Sequence, residues 1–189
     1  MNRPLETPWF HVIWTTQLAW QPTDPRGDWR HLAQLYDSLG ELARPSSPLP
    51  RRYRPVAPPP AVVELPPAAR QLVAQALADL TVSDRLAGDT PLAASAVGPY
   101  SVQLVLSCPD DALHQRVGRL KSRSATLLGF EPELAVGGKG TWSRGFWWAR
   151  LGADSLVHSV AAFVRDPGPF LATPGAPSNP DRVPSGLEP

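Results

Sequence analysis

A single cysteine, Cys108, is all the thiol the chain carries. An internal disulfide framework is thereby excluded, and a reducing compartment suits it. Net charge is nearly absent: 18 basic against 17 acidic residues leave +1. No global attraction to nucleic acid follows, so any basic surface has to be local. Long apolar runs are missing as well. None approaches the ~20 residues that cross a bilayer, and Met1 to Pro8 has no apolar signal core. A cytoplasmic location with no membrane partner is expected. Histidine occurs at 11, 31, 114 and 158, never at metal-ligand spacing, and no tyrosine follows Tyr100.

Proline is the residue in excess, with 24 in 189 positions, well above the usual ~5%. The prolines crowd between Arg44 and Pro60 and again after Pro167. A chain of this length buries one sizeable core. The expected organisation is one domain over 1–166, with a Pro-rich insertion at about 44–66, and a disordered Pro-rich tail over 167–189.

Tyr100 to Cys108 reads as the central strand. Val102, Leu104 and Leu106 alternate with Ser101, Gln103 and Val105, so each set shares one face. Two polar side chains two residues apart are where a strand presents a pair of metal ligands. They equally make an ordinary polar sheet face. Trp9 to Thr16 is a second strand, rich in β-branched and aromatic residues. Asp28 is positioned to cap a helix reaching Leu42, with Leu32, Leu35 and Leu39 at helical spacing.

Pro66-Pro67 opens a core helix striped by Ala69, Leu72, Val73, Ala76 and Leu77, ended by Gly88 and Pro91. Leu92 to Val97 is a short strand that turns at Gly98-Pro99 into the central one. Pro109-Asp110-Asp111 opens the second core helix. Phe146 to Leu151 is the last strand, and Asp154 or Ser155 caps a final helix with Leu156, Val160, Phe163 and Val164 inward. This order predicts an α+β, ferredoxin-like sandwich, its antiparallel sheet carrying the main helices on one face.

Several clusters invite a functional reading beside a plain one. Arg116, Arg119 and Arg123 line one side of the second core helix, either as a solvated face or as a phosphate contact. Arg51, Arg52 and Arg54 flank Tyr53 in the Pro-rich segment, an extended connection or a basic arm. Cys108 and His114 span a strand-to-helix turn, as a buried inert thiol or a thiolate–imidazole pair. Gly137-Gly138-Lys139-Gly140 is too short for a phosphate loop. Of Trp147 and Trp148, at least one belongs to the core, and an exposed one is able to stack on an unpaired base.

Four stretches together carry a resemblance. Phe10-His11-Val12-Ile13-Trp14-Thr15-Thr16 resembles the first strand of the HUH-type single-tyrosine transposases, the single-strand DNA nucleases that include the REP-associated members. Trp20-Gln21-Pro22-Thr23-Asp24-Pro25-Arg26-Gly27 resembles a loop of one branch of that family. Leu120-Lys121-Ser122-Arg123-Ser124-Ala125-Thr126 resembles its Leu-Lys-small-x-Ser/Thr helix segment. Thr141-Trp142-Ser143-Arg144-Gly145-Phe146-Trp147 resembles its Trp-x-Arg-Gly-Tyr/Phe approach to the last strand. The order and spacing hold over residues 9–166, while 30–66 has no counterpart.

The resemblance implies a ferredoxin-like fold, a homodimer, and Mg or Mn held by two histidines of the central strand. It also implies a tyrosine nucleophile on the last helix, with a further ligand four residues on. In this chain the histidine positions fall on Ser101 and Gln103, the tyrosine position on Phe163 and the additional ligand on Pro167. No imidazole pair and no attacking oxygen remain at those positions. The expectation is a catalytically silent transposase-like protein that binds single-stranded or hairpin DNA and takes no metal cofactor. Arg116, Arg119, Lys121, Arg123, Arg144 and Arg150 would be its phosphate contacts. A protein-interaction module on a decayed scaffold is the second reading. An active nicking enzyme with unusual ligands is the third.

Overall fold

The first strand forms where β-branched and aromatic residues are densest: β1, Trp9–Thr15. The computed structural model describes residues 7–19, 22, 29–40, 43–45, 62–86, 92–129 and 140–166. Expectations for the Pro-rich stretch 46–61, for Gly137 to Lys139 and for the tail 167–189 lie outside these residues. After β1 come α1 (Arg30–Leu39), β2 (Ala43–Pro45), α2 (Pro67–Leu86), β3 (Leu92–Val97) and β4 (Ser101–Ser107). A 3-10 turn at Asp110–Ala112 leads into α3 (Leu113–Gly129), then β5 (Trp147–Leu151) and α4 (Asp154–Arg165).

The strands make one antiparallel sheet in the order β2-β5-β1-β4-β3. Without α1, β2 and α4 the chain runs β-α-β-β-α-β, the ferredoxin-like pattern. β4 lies between β1 and β3, inside the sheet. β2 was not expected as a strand, because its proline excludes a central place; at the sheet edge Pro45 breaks no interior ladder.

Register assigns the faces. Trp9 pairs with Ser107, His11 with Val105, Ile13 with Gln103 and Thr15 with Ser101, so these odd-numbered residues share one face. The even face, with Phe10, Val12, Trp14, Val102, Leu104 and Leu106, packs on α2 and α3 through Ala69, Val73, Leu77, Leu113, Val117 and Leu128. The two longest helices thus lie together on one face. The odd face is covered as well, by α4 through Leu156, Val157, Val160, Ala161 and Val164 and by α1 through Leu32 and Tyr36. Every residue of β4 is therefore buried, on both sides.

Local chemistry sets the helix ends. α1 starts after Trp29 with no side-chain cap, and Asp28 is outside the described residues. It stops at Gly40 rather than Leu42, because Gly40 takes φ +63°, ψ −151°, a region open essentially to glycine alone. α4 has Asp154 in its first turn and Arg165 in its last, each complementing the helix dipole. Residues 62–66, expected to end a loose insertion, are tied into the domain. Leu65 is fully buried, its N–H donates to Pro99 O at 2.7 Å, and Val63 N–H donates to Gln17 O at 3.2 Å. Among the described residues no helix is long and apolar enough to cross a membrane.

Candidate functional site

Gln103 does not face open space. Its Oε1 accepts a hydrogen bond from His11 Nε2 at 3.2 Å, and the Tyr36 hydroxyl donates to His11 Nδ1 at 2.8 Å. Strand alternation places His11 on the odd face of β1, one residue pair from Gln103, and α1 lowers Tyr36 onto it from above. The imidazole lies parallel to the Tyr36 ring at 6.0 Å and meets the Trp147 ring edge-on at 5.6 Å. Burial removes the water that would solvate an imidazolium and lowers the His11 pKa from 6.5 to about 4, against a smaller opposing pull from Gln103. The same burial pushes the Tyr36 phenol upward. The network is neutral, and His11 carries its proton on Nε2.

This donor set does not fit a divalent cation. Both His11 nitrogens are engaged, the Gln103 carbonyl oxygen is engaged, and Ser101 adds only a neutral hydroxyl. Phe163 lies on α4, which covers the same face of the sheet, and packs on the cluster containing Val105, Val160 and Val164. The end of α4 reaches β3: Arg165 Nη2 donates to Ala93 O at 2.6 Å. Ala93 adjoins Ala94, which pairs with Val105, four strand residues from Ser101, or about 13 Å. Ser101, Gln103 and Phe163 therefore share the odd side of the sheet. Pro167 lies outside the described residues.

A denser meeting of residues occurs at the Ser101 end of the sheet. Here Thr15 Oγ1 shares a hydrogen bond with Ser143 Oγ at 2.9 Å, and Ser143 N–H donates to Thr15 O at 2.9 Å. Thr16 bridges to Trp142, whose ring meets Trp14 edge-on at 6.0 Å. The Trp142 indole N–H donates to Ser124 Oγ at 3.1 Å, and Lys121 Nζ donates to Ser143 O at 2.8 Å and Gly145 O at 2.6 Å. Three of the four stretches singled out in the sequence, around residues 10–16, 120–126 and 141–147, are thus bonded to one another. No protein-family model, curated protein or solved structure matches this chain.

Lys121 holds the 143–145 turn against α3, and its half-buried amine has a lowered pKa from desolvation. Lys121→Met leaves both carbonyls without this donor. The expected loss is about 2 kcal/mol, the scale of hydrogen bonds to a charged group, with faster hydrogen exchange over 141–146. Unchanged exchange there would contradict the clamp.

The arginines divide into separate groups. At ~100° per helical residue, Arg116, Arg119 and Arg123 share one flank of α3, while Lys121 lies on the opposite flank of its buried line Leu113, Val117, Ser124 and Leu128. Arg119 and Arg123 are exposed and Arg116 is half-buried. Arg144 is exposed at the tip of the clamped turn. Arg150 lies 3.5 Å from Asp110, both half-exposed. The six expected phosphate contacts thus fall into an α3 stripe, a turn residue, a lysine bonded to that turn and an arginine paired with Asp110.

Remaining candidates resolve by burial. Cys108 is fully buried among the core residues, while His114 is exposed and tilts against Phe146 at 4.9 Å. Trp147 is core, and Trp148 is part-buried, edge-on to Phe10 at 5.7 Å. The His11–Tyr36 contact was not foreseen from the sequence. Strand alternation marks His11 as sharing the Gln103 face, but no local pattern brings α1 over it.

Proposed function

We propose that this chain is a catalytically silent relative of the HUH-type single-tyrosine transposases that binds single-stranded or hairpin DNA without cutting it. The observation that carries this reading is the mutual bonding of Thr15, Trp142, Ser143, Lys121 and Ser124, the residues of the resembling stretches, at the Ser101 end of the sheet. Silence follows from chemistry: Phe163 has no oxygen to attack phosphorus, and Gln103 is occupied by His11. Arg119 and Arg123 on α3, with Arg116 beside them, supply guanidinium groups suited to bidentate phosphate pairing. Arg144 supplies another from the turn. A homodimer is expected with them.

An electrophoretic shift of a DNA hairpin library, read for retention and for cleavage with magnesium or manganese present, tests this. Retention is expected to fall with salt, with a slope of about −0.7 to −0.9 per phosphate contacted. Arg119→Glu/Arg123→Glu is expected to weaken retention at least about tenfold and to flatten the slope by about two contacts. Absence of retention at low salt would sink the proposal, and dimerisation without it would favour a protein-interaction module. A covalent protein–DNA adduct would make the chain an enzyme.

A further inference from the structure

Among the described residues, β3 is an edge strand, paired with β4 on one side only. An open edge is a template for another strand, and proteins blunt it with charge, proline or short length. The opposite edge, β2, is three residues long and carries Arg44 and Pro45. β3 is six residues long, Leu-Ala-Ala-Ser-Ala-Val, with no charge and no proline.

The hairpin fixes which backbone groups of β3 face outward. Gly98 N–H donates to Ser101 O at 2.8 Å, so this pair is hydrogen-bonded. Antiparallel pairs alternate between bonded and non-bonded. Ala96–Gln103 and Ala94–Val105 are then bonded pairs, while Val97–Val102 and Ser95–Leu104 are not. The N–H and C=O of Ser95 and Val97 therefore point away from β4. Among the described residues they meet no partner on that side, and Ser95 is exposed. The carbonyl of Ala93, at the irregular step between Leu92 and Ala94, is already taken by Arg165 Nη2 at 2.6 Å.

We infer that β3 pairs with β3 of a second copy, antiparallel about a two-fold axis at Ala96, joining two sheets into one. In this register Ser95 of each copy lies opposite Val97 of the other, forming about four backbone hydrogen bonds. Alanine meets alanine on one face, and serine meets valine on the other. Nothing charged or bulky opposes its own copy, as an isologous contact requires. Arg165 marks where the pairing stops. A second copy fits this edge better than a free peptide. Edge-bound peptides gain specificity from pockets for alternate side chains, and the open stretch itself offers only serine, alanine and valine. A second copy also brings a strand that is already ordered. This gives the homodimer expected above its surface and rests on no DNA contact.

Sedimentation of the full chain without DNA, from about 1 to 100 µM, is expected to show a dimer at the upper end. Ser95→Pro removes only an outward N–H, so the fold is kept. Its dimer is expected to dissociate at least about tenfold more readily. Ser95→Lys keeps the N–H but places a charge at the edge, and is expected to weaken the dimer as well. In wild type, hydrogen exchange at the Ser95 and Val97 amides is expected to slow as concentration rises. If Ser95→Pro fails to fold, Ser95→Lys and the wild-type exchange decide. A monomer throughout overturns the pairing and leaves DNA binding to the shift assay. A dimer that persists in the variants, or exchange at Ser95 and Val97 that ignores concentration, places the contact elsewhere and overturns it too.

Discussion

Lowering the pH from 7.5 to 4 is expected to remove roughly 3 kcal/mol of folding stability through His11 alone. The folded-state pKa is about 4 against 6.5 for an exposed histidine, because the ring is fully buried. Between those values the unfolded chain binds a proton that the folded chain does not, so stability falls as pH falls. The contribution is complete above about 6.5 and is lost progressively down to about 4. The titratable group that meets the ring is Tyr36, which stays neutral throughout this window. Urea unfolding at half-unit pH steps measures the slope. His11→Asn is expected to flatten it while being less stable at pH 7.5. An identical slope in both proteins would show that other groups govern the acid response.

Trp147→Ala is expected to destabilise by about 3–5 kcal/mol, the range for truncating a large buried aromatic. Trp147 meets both His11, at 5.6 Å, and Tyr36, at 5.4 Å, edge-on. Its removal leaves a void beside the imidazole as well as losing its own burial. Water entering that void would restore part of the His11 pKa toward 6.5, so the acid slope of this variant is expected to shrink. Trp147→Phe keeps the ring contact and is expected to retain most of the slope. Among the described residues the indole N–H of Trp147 has no hydrogen-bond partner, so the phenyl replacement leaves no acceptor among them unmatched. A full wild-type slope in Trp147→Ala would mean that desolvation of His11 does not depend on this ring.

Strong periodicity made most of the scaffold legible. β4 was expected over 100–108 and spans Ser101–Ser107; α2 was expected from Pro66-Pro67 and starts at Pro67. Alternation put Val102, Leu104 and Leu106 on one face, the face that meets α2 and α3, because a strand's side-chain period is fixed by its backbone. The weak points were short or edge elements. β2 has three residues and a proline, and only pairing with β5 makes it a strand. Residues 62–66 carry no periodic signal, and their burial comes from Pro99 and Gln17, partners distant in sequence.

The polar pair on β4 shows the same division for the site. Residue identities alone settled that Ser101 and Gln103 offer no imidazole and that Phe163 offers no nucleophile. They also settled the basic stripe on α3, since Arg116, Arg119 and Arg123 share a flank by helical period. What fills the space beside Gln103 was decided by tertiary structure. α1 delivers Tyr36 to His11, and β1 delivers His11 to Gln103, closing a neutral buried network where an ordinary polar sheet face was one expectation. The clamp made by Lys121 was hidden for the same reason: its partners, Ser143 and Gly145, lie beyond any local pattern. Short-range stereochemistry sets faces and periods, while pairings across 20 to 100 residues depend on how whole elements stack, and those stackings made this face a closed one.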